Sequence, residues 1–344
     1  MEKKVFKLAL LGFGNAGQAF AKMLMAKHDE IEAMYGADVR VTAIATNSKG
    51  NLVKAEGIDL SKALEDVQGK GRFDDEGAKS TLTTMEIVEK ADYDAIAEMT
   101  PLNIFTGEPA ISHIEAAIKR EKHVITANTG PIAWKFKALK NMAREAGVKF
   151  FYETTVMDGT PVFNLTEKTL PLARVTEVSG ILNSTTNFIL EEMAAGCDYD
   201  DIMKRGRELG FVEADPAMDI EGYDAAAKIT ALLNVLMDAD ITPDQVDRKG
   251  IVDITVEDIR DAESRGKVIK LVCRGSRTSD GKVAATVKPE EVDKGDLLAT
   301  INSTTSVVSI TTDLMKKVSV IEHEPEIEQT AFGVFGDLLR VLGE

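Results

Sequence analysis

From Phe6 to about Val156, short β-rich runs alternate with stretches whose apolar residues recur at helical spacing. The candidate strands are Phe6 to Leu11, Val39 to Thr46, Asp94 to Thr100, His123 to Asn128 and Val148 to Val156. Between them, Gln18 to Met34 carries Phe20, Met23, Leu24, Ile31 and Met34 along one helical stripe, and Gly107 to Arg120 and Ala133 to Ala146 predict two more helices. Strands and helices taken in turn encode a parallel sheet with covering helices, so this half predicts a doubly wound α/β domain. Beyond Val156 the order changes to a strand (Val175 to Leu182), several helices between Asn187 and Met237, and β-rich runs at Val268 to Cys273, Val283 to Val287, Ser306 to Thr311 and Val318 to Ile321. That pattern predicts an α+β domain, and Asn302 to Thr312, though rich in Ser and Thr, reads as a strand with polar alternate positions. A last amphipathic helix, Gln329 to Leu342, has no strand after it. Trp134 and the methionines Met23, Met25 and Met34 read as packing residues.

The first candidate chemistry sits where strand becomes helix, at Gly12-Phe13-Gly14-Asn15-Ala16-Gly17. A glycine pattern of this kind is common by chance, and a plain tight turn is the competing reading. Here the buried-strand run Leu8 to Leu11 precedes it and a periodic helix follows, which is the setting of a Rossmann-type dinucleotide fingerprint. Gly12 permits the tight turn, Gly14 lets backbone approach a pyrophosphate, Gly17 lets helix pack on strand, and the helix N-terminus attracts phosphate. At the end of the second strand an acid would hydrogen-bond a ribose 2′-hydroxyl and repel a 2′-phosphate. Thr46-Asn47-Ser48-Lys49 has no acid, so NADP is expected to serve at least as well as NAD; an ordinary polar strand end is the other reading. Residues 1–155 are thus expected to form the dinucleotide-binding domain, 156–325 a substrate-binding and dimerisation domain, and 326–344 a helix returning to the first domain.

Bulk properties narrow the class. A formal charge of -16 over 344 residues disfavours nucleic acid and anionic lipid as partners. Two cysteines, Cys197 and Cys273, supply no disulfide framework and fit a reducing compartment. Lys3-Lys4 and the apolar run after it imitate a signal peptide until the glycine turn interrupts them, so a cytoplasmic protein is expected. The four histidines are scattered, without the spacing of a transition-metal site.

In the second half, Glu213 to Lys228 concentrates acids ahead of one lysine on a predicted helix. Asp224 and Lys228 are i and i+4 and share a face; alone, such a pair reads as a surface salt bridge. At this point the chain resembles the homoserine dehydrogenase family, which interconverts L-homoserine and L-aspartate 4-semialdehyde with NAD(P). The resemblance covers Gly12 to Gly17, Thr100-Pro101-Leu102-Asn103 with Thr106 to Ala110, His123 to Asn128, Gly180 to Asn187, and Glu213 to Lys228, in family order.

The resemblance implies that Lys228 transfers the proton, with Asp224 beside it, and that Glu213, Asp219 and Thr185 bind substrate. The residue types suit the chemistry, because a base must take the hydroxyl proton as hydride leaves, and carboxylates complement an α-ammonium group. It implies that Thr100, Pro101 and Asn103 line the nicotinamide pocket, while the end of the second strand, read by itself, puts Asn47, Ser48 and Lys49 at the cofactor's 2′ position. It also implies that Glu153, Val156, Asp158 and Thr160 form a loop for sodium or potassium; read alone, that loop is only a hinge. A homodimer and a short form without a C-terminal regulatory domain are further expectations. The chain departs from the family at Thr129, where a catalytic lysine is usual, at Phe211 for tyrosine, at Ser184 for glycine, and in the bulky acidic run Glu322 to Gln329. These departures leave two other functions open: a dehydrogenase of another small hydroxy acid, or a non-catalytic NADP-binding regulator.

Overall fold

The structure is a computed structural model that describes residues 4–209, 212 and 216–343. It divides into two compact units, the first made of 1–161 and 326–344, the second of 162–325.

The first unit opens with β1 (Lys4–Leu11), α1 (Asn15–Tyr35) and β2 (Ala37–Ala45). There follow β3 (Asn51–Val53), α2 (Leu60–Lys70), β4 (Lys79–Ser80) and α3 (Thr84–Lys90). Then come β5 (Ala95–Glu98), α4 (Ala110–Lys119), β6 (His123–Thr126), α5 (Thr129–Glu145) and β7 (Phe150–Phe151). The sheet runs β4-β3-β2-β1-β5-β6-β7, parallel from β2 to β7, with β3 and β4 antiparallel at one edge. The chain works outward from β1 to β4 and then jumps back to β5 on the other side of β1. In such sheets ligands gather beyond the carboxyl ends of the strands at this reversal. Leu11 is in register with both Ala45 and Glu98, so the segments after β1, β2 and β5 leave the sheet side by side.

The doubly wound expectation is met, with corrections. Val148 to Val156 is strand only at Phe150–Phe151; Glu153–Thr155 forms a 3-10 turn. Nothing in the apolar pattern had marked β3, α2, β4 or α3. Leu8, Leu10 and Leu11 are fully buried, each contributing about 1.5–3 kcal/mol by removal from water. In α1, Phe20, Leu24 and Ile31 face this core, whereas Met25 and Met34 are exposed at 42% and 73% and are not packing residues.

The second unit contains α6 (Val162–Thr169), β8 (Val175–Ile181), α7 (Ser184–Ala194), α8 (Tyr199–Glu208), α9 (Ala217–Ile220) and α10 (Tyr223–Met237). After them come β9 (Asp247–Arg248), α11 (Val256–Ser264), β10 (Lys267–Arg277), β11 (Val283–Asp293), β12 (Ser306–Thr312) and β13 (Lys316–Glu322). Its sheet is ordered β13-β12-β8-β10-β11-β9 and is antiparallel except at the β11–β9 pair. Ala225, Ala226 and Ala227 are buried to 1% or less, so the alanine run of α10 is its packing face. The final helix, α12 (Ile327–Gly343), belongs to the first unit, where Ala331, Val334, Phe335, Leu338 and Val341 enter the core that also holds α1. Among the described residues no helix is long and apolar enough to cross a membrane.

Candidate active site

In the first unit, Gly12 has φ +101, a conformation L side chains rarely adopt, and a Cβ there would lie 2.3 Å from the Met99 carbonyl oxygen. The glycine therefore lets the turn after β1 close against the end of β5. A Cβ on Gly17 would meet the Gly12 carbonyl at 2.7 Å, which is the close helix-to-strand approach expected of it. Gly14 differs: a Cβ there would meet nothing within 4 Å among the described residues. Gly14 is the N-cap of α1, makes no side-chain capping bond, and no acid lies in the first turn. An open glycine at an uncapped helix N-terminus fits a dinucleotide pyrophosphate. Phe13 is buried, with its ring 5.4 Å from that of Phe73.

The segment after β2 is a closed turn. Thr46 accepts the Lys49 amide at its Oγ1 (2.9 Å), gives its hydroxyl to the Gly50 carbonyl, and donates its own amide to Asn51 Oδ1 (2.7 Å). Asn47 and Ser48 are exposed and Lys49 is half-buried, with no carboxyl group in the turn. After β5, Thr100 is half-buried while Pro101 and Asn103 are exposed. Asn103 turns its Oδ1 back onto the Phe105 amide (3.1 Å), and Trp134 Nε1 holds the Ile104 carbonyl (2.8 Å).

Thr129 begins α5, buried, its hydroxyl donating to the Thr155 carbonyl (2.7 Å). It therefore ties the start of α5 to the 3-10 turn at Glu153–Thr155. The predicted ion loop follows directly. Glu153 is buried and donates its amide to Asp337 Oδ2 (2.9 Å); Thr154 Oγ1 donates to the Asp158 carbonyl (2.6 Å); the Thr160 amide donates to the Met157 carbonyl (2.9 Å). Val156 is buried between them. Burial pushes the Asp337 carboxyl up to about 7. Gly159 and Gly333 lie where α12 touches this loop, and a Cβ on Gly159 would be 2.2 Å from the Gln329 carbonyl. The run Glu322 to Gln329 ends β13 and starts α12.

In the second unit, four predicted or neighbouring residues meet. Lys228 Nζ is 2.9 Å from Asp224 Oδ2 and donates to the Leu182 carbonyl at 3.1 Å. Asn183, the N-cap of α7, donates from Nδ2 to both Asp219 Oδ1 (2.6 Å) and Asp224 Oδ2 (3.0 Å). One amide thus gathers two carboxyl groups that lie on α9 and α10. Burial, followed by the neighbouring charge of Asp224, raises the Asp219 pKa above its ordinary value. Thr185 is buried in the first turn of α7, and Ser184 gives its hydroxyl to the Thr304 carbonyl (3.0 Å). Glu213 and Phe211 lie outside the described residues.

Asn183 was missed as a site residue, although its spacing before a helix is an N-cap signal. A second missed residue is Lys270 on β10, 4% exposed, whose Nζ donates to Asn187 Oδ1 (2.8 Å) and to the Ile301 carbonyl (2.5 Å). It anchors the far end of the Asn183 to Asn187 turn, and burial lowers its pKa to about 8.

The sequence model described as homoserine dehydrogenase matches residues 161–339, and that described as the NAD binding domain of homoserine dehydrogenase matches residues 12–153. A homoserine dehydrogenase of Methanocaldococcus jannaschii is 36% identical, the match covering 97% of this chain and 98% of the relative. An NAD(+)-dependent homoserine dehydrogenase of Pseudomonas canavaninivorans is 33% identical, over 98% of this chain and 96% of the relative. Among solved structures, a hyperthermophilic archaeal homoserine dehydrogenase in complex with NADPH superposes with a TM-score of 0.83 at 25% identity, covering 98% of this chain and 97% of that one. The fold and the order of the motifs agree with these matches from the first glycine turn to the last helix: the chain belongs to the homoserine dehydrogenase family of NAD(P)-dependent oxidoreductases.

Proposed function

We propose that this chain interconverts L-homoserine and L-aspartate 4-semialdehyde, using NADP at least as well as NAD, with Lys228 as the proton-transferring residue. The observation that carries the reading is the cluster in which Asn183 holds Asp219 and Asp224 while Asp224 pairs with Lys228. Bound nicotinamide supplies hydride to the aldehyde carbon, or accepts it from the alcohol. As the aldehyde is reduced its oxygen gains negative charge, and the Lys228 ammonium, oriented by Asp224 and the Leu182 carbonyl, gives it a proton. In the reverse direction Lys228 takes the hydroxyl proton. Asp219 and Glu213 bind the α-ammonium group, and Thr185 adds a hydroxyl at the start of α7.

Gly12 to Gly17 hold the pyrophosphate, Thr100, Pro101 and Asn103 line the nicotinamide, and Asn47, Ser48 and Lys49 meet the adenosine ribose. The absence of a carboxyl group in the turn after β2 favours a 2′-phosphate there. The carboxyl of Glu153 and the carbonyl groups of Val156, Asp158 and Thr160 suit sodium or potassium, and the second unit is expected to form a homodimer, which gel filtration reads directly.

The test is homoserine-dependent reduction of NADP and of NAD by the wild type and Lys228→Met. The variant should lose about 10²–10⁴-fold in kcat, the usual share of a general acid–base, while binding NADPH as the wild type does. Equal turnover by the variant, or no oxidation of homoserine by the wild type, would refute the proposal.

A further inference from the structure

We propose that Glu98 is a positioning residue for the nicotinamide cofactor, acting through Thr100: one buried carboxyl group sets both the loop after β5 and the glycine turn after β1. This rests on the nucleotide role given above to the first unit, to which every residue involved belongs.

Glu98 is the last residue of β5 and is fully buried. Its Oε1 accepts the Thr100 amide at 3.2 Å and also the Thr100 hydroxyl, and its Oε2 lies 3.4 Å from Thr126 Oγ1 on the neighbouring strand. His113, 3% exposed, also faces this carboxyl group, its Nδ1 3.8 Å from Glu98 Oε1 and without a hydrogen-bond partner among the described residues. Burying a carboxyl group is costly, and an apolar side chain would end a central strand at lower cost. The bonds it makes are what offset the cost, two of them to Thr100 and one to Thr126.

Thr100 is held at a third atom as well. Its carbonyl accepts Asn128 Nδ2 at 3.1 Å, and the same Asn128 caps α5 by accepting the Gly130 amide at 3.0 Å. With amide, hydroxyl and carbonyl all fixed, Thr100 has no freedom to turn, and the preceding carbonyl of Met99 is fixed with it. That carbonyl is the group against which Gly12 closes, since a Cβ on Gly12 would lie 2.3 Å from it. Glu98 therefore reaches both cofactor loops without touching the cofactor. Loops set in place during folding need no ordering on binding, and affinity is gained by that amount.

The experiment compares NADPH dissociation constants, measured by fluorescence titration without turnover, for the wild type, Glu98→Gln, Thr100→Val and the double variant. Glu98→Gln keeps the size and replaces one carboxyl oxygen by an amide nitrogen, which donates where the carboxyl accepts. It should weaken NADPH binding about tenfold, the scale of one hydrogen bond, with Tm and the KM for homoserine little changed. In the Thr100→Val background the same change should cost under about twofold, because its route is gone. An unchanged Kd in Glu98→Gln, or an equal effect in both backgrounds, overturns the proposal. A wild type that does not bind NADPH overturns the functional reading beneath it, so the two failures are distinct. If Glu98→Gln does not fold, hydrogen exchange of the cofactor-free wild type decides: the Thr100 amide should be protected, and free exchange there overturns the proposal.

Discussion

Lys270→Met gives the most quantitative check on the second unit. Lys270 is 4% exposed, and burial lowers its pKa from the ordinary lysine value of 10.5 to about 8. A difference of about 2.5 in pKa corresponds to about 3 kcal/mol at 1.36 kcal/mol per pH unit. The sign follows from proton counting. Between about 8 and 10.5 the unfolded chain holds a proton on this lysine that the folded chain has released, so stability rises with pH through that window. The gain is complete above 10.5 and is lost as pH falls through about 8. Methionine is apolar and of similar length, and it does not titrate. It strips Asn187 Oδ1 and the Ile301 carbonyl of a donor at every pH, which is a constant offset. Denaturant unfolding of both proteins at a series of pH values isolates the titrating part, since all other groups cancel in the difference. From pH 7.5 to pH 10 the wild type should gain about 2 kcal/mol on the variant. A gap that stays flat, or that moves toward the variant as pH rises, would refute the burial of a titrating amine at this position.

Two further outcomes separate the glycines and the carboxyl groups. Gly12→Ala places a Cβ 2.3 Å from the Met99 carbonyl at φ +101, so it should lower stability by at least about 1–3 kcal/mol and abolish NADPH binding, whereas Gly14→Ala, with nothing within 4 Å, should leave the melting temperature intact and weaken only the cofactor. Identical behaviour of the two variants in melting and titration would sink this distinction. The KM for homoserine should fall as pH rises through the raised pKa of Asp219, because only the ionised carboxyl attracts an ammonium group; in Asp219→Asn that dependence should vanish from a KM-against-pH series, and its persistence would assign the titration elsewhere.

The sequence disclosed what is repeated or local. The stretch from β1 through α1 was legible because one apolar run, one glycine turn and one helical stripe follow without a break. The pair Asp224 and Lys228 was legible because four residues along a helix bring side chains together whatever surrounds them. The edge strands β3 and β4 were not, being three and two residues long; Asn51 shapes that edge through bonds to Thr46 and to the Leu82 carbonyl, which no periodicity signals. Asn183 meets Asp219 across 36 positions of sequence and Thr100 meets Asn128 across 28, so only the folded chain reveals those sites. Lys270 misleads for a different reason, since a lysine in a strand reads as a solvent-facing position.

The return of α12 to the first unit has a consequence for how the molecule assembles. Translation delivers Ile327–Gly343 after everything from Val162 to Pro325, yet the nucleotide unit needs that helix to finish its core. Until the second unit folds, it is for the first unit a flexible loop of 164 residues whose ends must be brought together. Closing a loop of that length costs about 5 kcal/mol of chain entropy. Folding of the second unit replaces that floppy tether with one of fixed span. The two units can thus be coupled in their folding through the chain alone, and variants in the second unit will register in the melting of the first.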